Sequence, residues 1–133
     1  MGLDMYLKGE KFYWTNWKQP DRNLTEDGFK MTEKHLELGY WRKHADLHGF
    51  IVRCFADGVD ECQRIDLDEG DLRKIILAIK HKKLPHTEGF FFGASAHSQE
   101  ERDEAVAVFK KALTWIAEKE PGVARSVYYE ASW

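Results

Sequence analysis

Gly39-Tyr40-Trp41-Arg42-Lys43-His44-Ala45-Asp46-Leu47-His48, continuing through Ile51, Val52, Cys54 and Phe55 to Asp57-Gly58, is the stretch on which the reading of this chain turns. Wound as a helix at roughly 100° per residue, it gathers Trp41, Ala45, Leu47, Ile51, Val52, Cys54 and Phe55 into one apolar arc. His44 and His48 fall in the middle of that arc. An ionisable ring in an apolar stripe requires a hydrogen-bond partner, a metal or a ligand, because an unpaired polar group away from water is costly. The helix is therefore the place to look for a site.

The remaining segments supply the frame. Residues 2–8 alternate as a strand, with Leu3, Met5 and Leu7 on one side and Asp4, Tyr6 and Lys8 on the other. Gly9-Glu10 reads as a turn into a hairpin partner over residues 11–17, and residues 18–34 read as a long polar loop. The whole region 9–34 is thus expected to be a loop or hairpin. His35 to Tyr40 alternates as a strand leading into the helix, which Asp57-Gly58 ends. Glu61 to Leu67 is a short strand. Asp68 caps a second helix with Asp71 at its third position and Leu72, Ile75, Ile76 and Ile79 as its buried stripe. That helix closes in Lys80-His81-Lys82-Lys83, before Leu84-Pro85. Gly89-Phe90-Phe91-Phe92-Gly93 fits a buried strand. Ser98-Gln99-Glu100-Glu101 is a capping box opening a third helix, which Pro121-Gly122 stops. Arg125 to Trp133 is the last strand. The order predicts a single α+β domain over residues 1–133, with a small mixed or mainly antiparallel sheet and three helices packed on it. Both terminal strands should belong to the sheet.

Composition narrows the function classes. A chain of 133 residues can bury a hydrophobic core as one domain. A net charge of -3 argues against nonspecific nucleic-acid binding. No apolar run is long enough to span a membrane, and Met1-Gly2-Leu3-Asp4-Met5-Tyr6-Leu7 has no basic leader, so no membrane association or signal peptide is expected. Cys54 and Cys62 form no disulfide framework, which fits a reduced, cytoplasmic setting. Trp14, Trp17, Trp41, Trp115 and Trp133 are many tryptophans for this length, and an exposed aromatic patch is expected from so many rings.

Each chemical arrangement has a plainer rival. His44 and His48 stand at i, i+4, so both could reach one divalent metal, with His35, Asp60, Cys62 or His97 as a third ligand. A pair of histidines bonded to carbonyls or carboxylates is the preferred reading, and no cofactor is expected. Arg42 and Lys43 beside a helix start could hold an anion; as an ordinary solvated start they would only cover apolar surface. Asp57, Asp60 and Glu61 lack the calcium-loop pattern and read as turn-capping acids. Phe90-Phe91-Phe92, Tyr128-Tyr129 and Trp133 are core or, where one ring lies open, a stacking platform. No phosphate-binding glycine loop or serine-nucleophile elbow is present in the sequence.

The blocks Gly2 to Leu7, Gly39-Tyr40-Trp41-Arg42-Lys43 with His48, Asp57-Gly58 with Asp60 and Cys62, Leu84-Pro85, Gly89 to Gly93, and Tyr128-Tyr129 with Ser132-Trp133 span nearly the whole chain. In these it resembles a family of small uncharacterised bacteriophage and prophage proteins. The resemblance is poor over the region 9–34, which marks it as variable. The resemblance includes His48 but not His44, which implies a role for His48 with Trp41, Arg42, Asp60 or Cys62. The expected function is a non-enzymatic accessory protein that binds a host protein or a small anionic ligand through an aromatic-rich surface. In a phage setting such capture would counter host defence. Its ligand-binding residues would be Trp41, Arg42, Lys43, Phe91, Tyr129 and Trp133. The alternative is a small hydrolytic enzyme with His48 as general base, Asp60 or Cys62 as the orienting group, and Arg42 on an anion.

Overall fold

Alternation along the first strand dictates the layering. Leu3, Met5 and Leu7 are fully buried, while Asp4, Tyr6 and Lys8 turn to the other side. The computed structural model describes residues 2–14, 24–84 and 98–133. Its elements are β1 (Asp4–Tyr13), a hairpin of β2 (Thr25–Glu26) and β3 (Phe29–Lys30), β4 (Glu33–Arg42), α1 (Ala45–Phe55), β5 (Ile65–Leu67), α2 (Glu69–Lys80), α3 (Gln99–Ala117) and β6 (Val123–Ser132). The main sheet has the order β4-β1-β6-β5, and every pairing in it is antiparallel. The fold is α+β in one domain, as the sequence predicts. The two terminal strands lie side by side at the sheet centre, with Leu7 opposite Tyr129 and Met5 opposite Ala131.

Three helices cover one face of this sheet. Leu47 and Ile51 of α1, Leu72, Ile75 and Ile79 of α2, and Phe109 of α3 close over Leu3, Met5, Leu7, Val127 and Tyr129. The stripe predicted for α2 is the buried one, and its Asp68–Asp71 capping box forms in both directions. Ser98 caps α3 by accepting from the Glu101 N–H at 3.1 Å. The opposite face of the sheet carries Tyr6, Lys8, Glu10, His35, Glu130 and Asp66, and no described helix lies over it. None of the described helices is long and apolar enough to cross a membrane.

Several expectations fail for one reason: strand pairing outranks local signals. Gly9-Glu10 is no turn; β1 runs straight through it to Tyr13, paired with β4 on one side and β6 on the other. Residues 11–13 therefore extend the first strand instead of returning along it. Within the predicted loop, residues 24–31 fold into the β2–β3 hairpin, whose Asp27 and Gly28 both take positive φ as a two-residue turn requires. Residues 33 and 34 already belong to β4. The strand expected at Glu61 to Leu67 shrinks to Ile65–Leu67. The phenylalanine run at 89–93 lies outside the described residues, as do residues 18–23 and Pro85.

The helix at the centre of the sequence reading starts later than its apolar arc suggests. Gly39, Tyr40, Trp41 and Arg42 are strand residues, opposite Leu7, Tyr6, Met5 and Asp4. Lys43 breaks the strand with φ +57 and ties its N–H to the Leu3 carbonyl at 2.8 Å. His44 is the N-cap of α1 and stands outside its face. Cys54 is exposed, not part of the apolar stripe. Asp57-Gly58 does end the helix, with the Gly58 N–H on the Val52 carbonyl at 3.0 Å.

Gly39 has a packing reason. The register shifts between Leu7 and Lys8, where Leu7 faces Gly39 and Lys8 faces Glu37. Next to this bulge β4 passes under α3, and a Cβ at Gly39 would stand 2.5 Å from Val108 Cγ1. Gly39→Ala should therefore lower the unfolding free energy by roughly 1–3 kcal/mol in urea titrations, the range for overpacking. A change within error would mean that α3 yields freely at this point.

Candidate functional site

The start of α1 sets the position of the buried histidine. Capping by His44, whose Nδ1 accepts from the Leu47 N–H at 3.4 Å, fixes the helix phase. One turn on, His48 faces β6 and is only 2 % exposed. Its Nδ1 meets the Tyr129 hydroxyl at 2.5 Å. Its Nε2 meets both carboxylate oxygens of Asp60, at 2.9 and 3.0 Å. Asp60 comes from the turn behind α1, and Trp133 sets its ring edge-on to the imidazole at 5.6 Å.

Hydrogen-bond chemistry orders this chain. A carboxylate can only accept, so the proton between His48 and Asp60 sits on Nε2. Tyr129 is 1 % exposed, and burial, reinforced by the charge of Asp60, holds its hydroxyl pKa well above the usual tyrosine value. The hydroxyl keeps its proton at neutral pH and, to a neutral imidazole, donates it to Nδ1. Tyr129 O–H to His48, then His48 N–H to Asp60, is a closed relay in which both ring nitrogens already have protein partners. Its solvent-facing member is Asp60, whose side chain is about a quarter exposed.

The other residues singled out from the sequence go to different places. Cys62 is exposed, at φ +58, and no hydrogen bond joins it to His48 or Asp60 among the described residues. Trp41 turns inward and stacks on Phe109, with centroids 5.2 Å apart and planes at 12°. Arg42, the next residue on the strand, points to the opposite face, where its Nε lies 3.9 Å from Asp4. Strand alternation thus separates the tryptophan from the arginine, which a helix would have kept together. Lys43 is exposed at the strand end. His44 shares no helix face with His48, and the two belong to no group of three metal-type donors among the described residues. Tyr129 and Trp133 lie against the core. Phe91 and His97 are outside the described residues.

A different set of apolar side chains lies open. Phe12 is 43 % exposed, Trp14 64 %, Leu24 53 % and Phe29 77 %. Phe12 and Trp14 meet edge to face at 5.5 Å. Backbone bonds tie the end of β1 to its neighbours, Trp14 N–H to the Gly122 carbonyl and Tyr13 N–H to the Thr32 carbonyl, both 3.0 Å, while Met31 N–H to the Leu24 carbonyl at 2.8 Å closes the β2–β3 hairpin that carries Phe29. The sequence reading missed them because it placed Phe12 and Trp14 in a returning hairpin strand and Leu24 and Phe29 in a long loop. The period-2 run Lys8, Glu10, Phe12, Trp14 was the available signal.

No family model, curated protein or solved structure matches this chain.

The relay yields a stability test. Tyr129→Phe should cost roughly 1–3 kcal/mol at neutral pH, since His48 Nδ1 loses a buried partner. A raised folded-state pKa contributes stability that is complete below the unfolded value and lost as pH rises through the folded one. Wild-type stability should therefore fall above the ordinary tyrosine range near pH 10, and Tyr129→Phe should flatten that slope. Chemical denaturation between neutral and alkaline pH measures both, and an unchanged slope in the variant would remove Tyr129 as its source.

Proposed function

We propose that the protein is a non-enzymatic binding module whose partner, a host protein in the setting implied by the resemblance to phage proteins, docks on the end of the sheet formed by Phe12, Trp14, Leu24 and Phe29. The observation that carries this reading is the exposure of four large apolar side chains on the end of β1 and on the hairpin segment that follows it, where water would otherwise have to solvate them. Aromatic anchors ringed by polar groups are the usual energetic centre of a protein interface. Exposed Glu26, Asp27 and Lys30 supply such a rim. Countering host defence is the role that such capture would serve.

The small-anion reading has less support. Arg42 is drawn toward Asp4, and Tyr40 also donates to that carboxylate, at 2.6 Å. The hydrolytic reading rests on the contact of His48 with Asp60, but a general base needs a free nitrogen to reach a substrate proton. Here Tyr129 already occupies Nδ1.

The test is affinity capture from host extract with the wild-type chain and with Trp14→Ala and Phe29→Ala. Each exposed anchor should weaken a captured partner by about 30-fold or more if it is a hot spot. Unfolding transitions should stay unchanged. Equal capture by wild type and both variants would remove the aromatic end as the docking surface. Turnover of ester or phosphate substrates that is lost in a folded Asp60→Asn variant would establish the hydrolytic reading instead.

A further inference from the structure

The open face of the sheet holds a second cluster that the docking reading does not use. Glu10 on β1 lies directly opposite His35 on β4. Glu33 is two residues before His35, so strand alternation puts it on the same face. One donor atom from each of Glu10, Glu33 and His35 falls within 4.8 Å of the others. Ligands around a single zinc-like ion stand about 3 to 4 Å apart, given bonds near 2.1 Å. Small side-chain rotations close that difference.

We propose that Glu10, Glu33 and His35 form a binding site for one divalent transition-metal ion. One imidazole and two carboxylates suit zinc, cobalt or manganese. The surroundings are those that orient a metal-binding imidazole. The Tyr128 hydroxyl holds His35 Nδ1 at 3.0 Å, which turns Nε2 toward the carboxylates, 3.3 Å from Glu33 Oε2. An outer partner on one ring nitrogen, leaving the other for the ion, is the usual arrangement at such sites. Tyr128 is fixed in turn by the Arg64 guanidinium, 3.9 Å over its ring. Arg64 also binds Glu10 Oε2 at 2.8 Å, which anchors that carboxylate and leaves Oε1 to the ion.

Binding shifts one tautomer. Without metal, Nε2–H donates to Glu33 and Nδ1 accepts from Tyr128. With metal, Nε2 gives its proton to solvent and its lone pair to the ion, while Nδ1 takes up a proton and donates it to the Tyr128 oxygen. The ion would clamp the sheet's edge strand to its neighbour beside Phe12, which pairs with Glu33. The site stands on its own geometry, so failure of either proposal leaves the other intact.

The experiment is calorimetric titration of the full chain with zinc chloride, backed by the visible spectrum of the cobalt complex. One equivalent should bind. His35→Gln and Glu33→Gln should each weaken binding by at least about tenfold, and Tyr128→Phe, which keeps all three donors, by about tenfold. Circular dichroism checks that each variant is folded. A Cys54→Ser, Cys62→Ser double variant should bind as wild type does. No saturable binding by the wild type overturns the site. So does binding that survives both His35→Gln and Glu33→Gln, or that disappears with the two cysteines.

Discussion

β1 is the constraint on which the other elements depend. Among the described residues it is the one long strand paired along its length on both sides, with β4 and β6. Those pairings satisfy its backbone groups and fix the register of both neighbours. They also aim Leu3, Met5 and Leu7 into the helical layer, where all three are fully buried. A slip of one residue would send these side chains to the open face and Asp4, Tyr6 and Lys8 into the core. The same register puts Gly39 under Val108 and lets α3 approach the sheet.

The His48 relay attaches α1 to that sheet. Its ends come from distant parts of the chain: Tyr129 from the last strand, Asp60 from the turn behind the helix. Burying an imidazole is tolerable here because both nitrogens are paired. The same completeness keeps the ring from reaching outward, which is why the best-connected polar group in the core gives less support to catalysis than its composition suggests. The functional reading moves to the opposite side of the sheet and its aromatic end, where groups lie open to a partner.

The open face also shows how one register builds two features. Phe12 and Glu33 are cross-strand partners, as are Glu10 and His35 one step along. An apolar anchor and a set of metal-type donors thus become neighbours through a single pairing of β1 with β4. Tyr128, on β6, joins the same row through His35, and Arg64 closes it from the segment leading into β5.

Local chemistry was legible in the sequence. Capping residues such as Asp68 and Ser98, the 3.6-residue stripe of α2, the Asp57-Gly58 stop and the alternation of residues 2–8 each act within a few residues, so the chain alone determines them. The α+β class follows from their order. His48 was marked by its place in an apolar stripe, with Asp60 and Cys62 as its candidate partners; it meets Asp60, while Tyr129 on the last strand was not foreseen as its second partner. Pairing across the sheet settled that the strand would run on through Trp41 and Arg42, that Gly9-Glu10 would run straight, and that Trp41 and Arg42 would face opposite ways. The physical reason is that backbone donors and acceptors of β1 and β4 satisfy one another across the nineteen residues that separate the two strands, and that bonding outweighs the local preference for helix or turn. Glu10, Glu33 and His35 became neighbours only when that pairing formed.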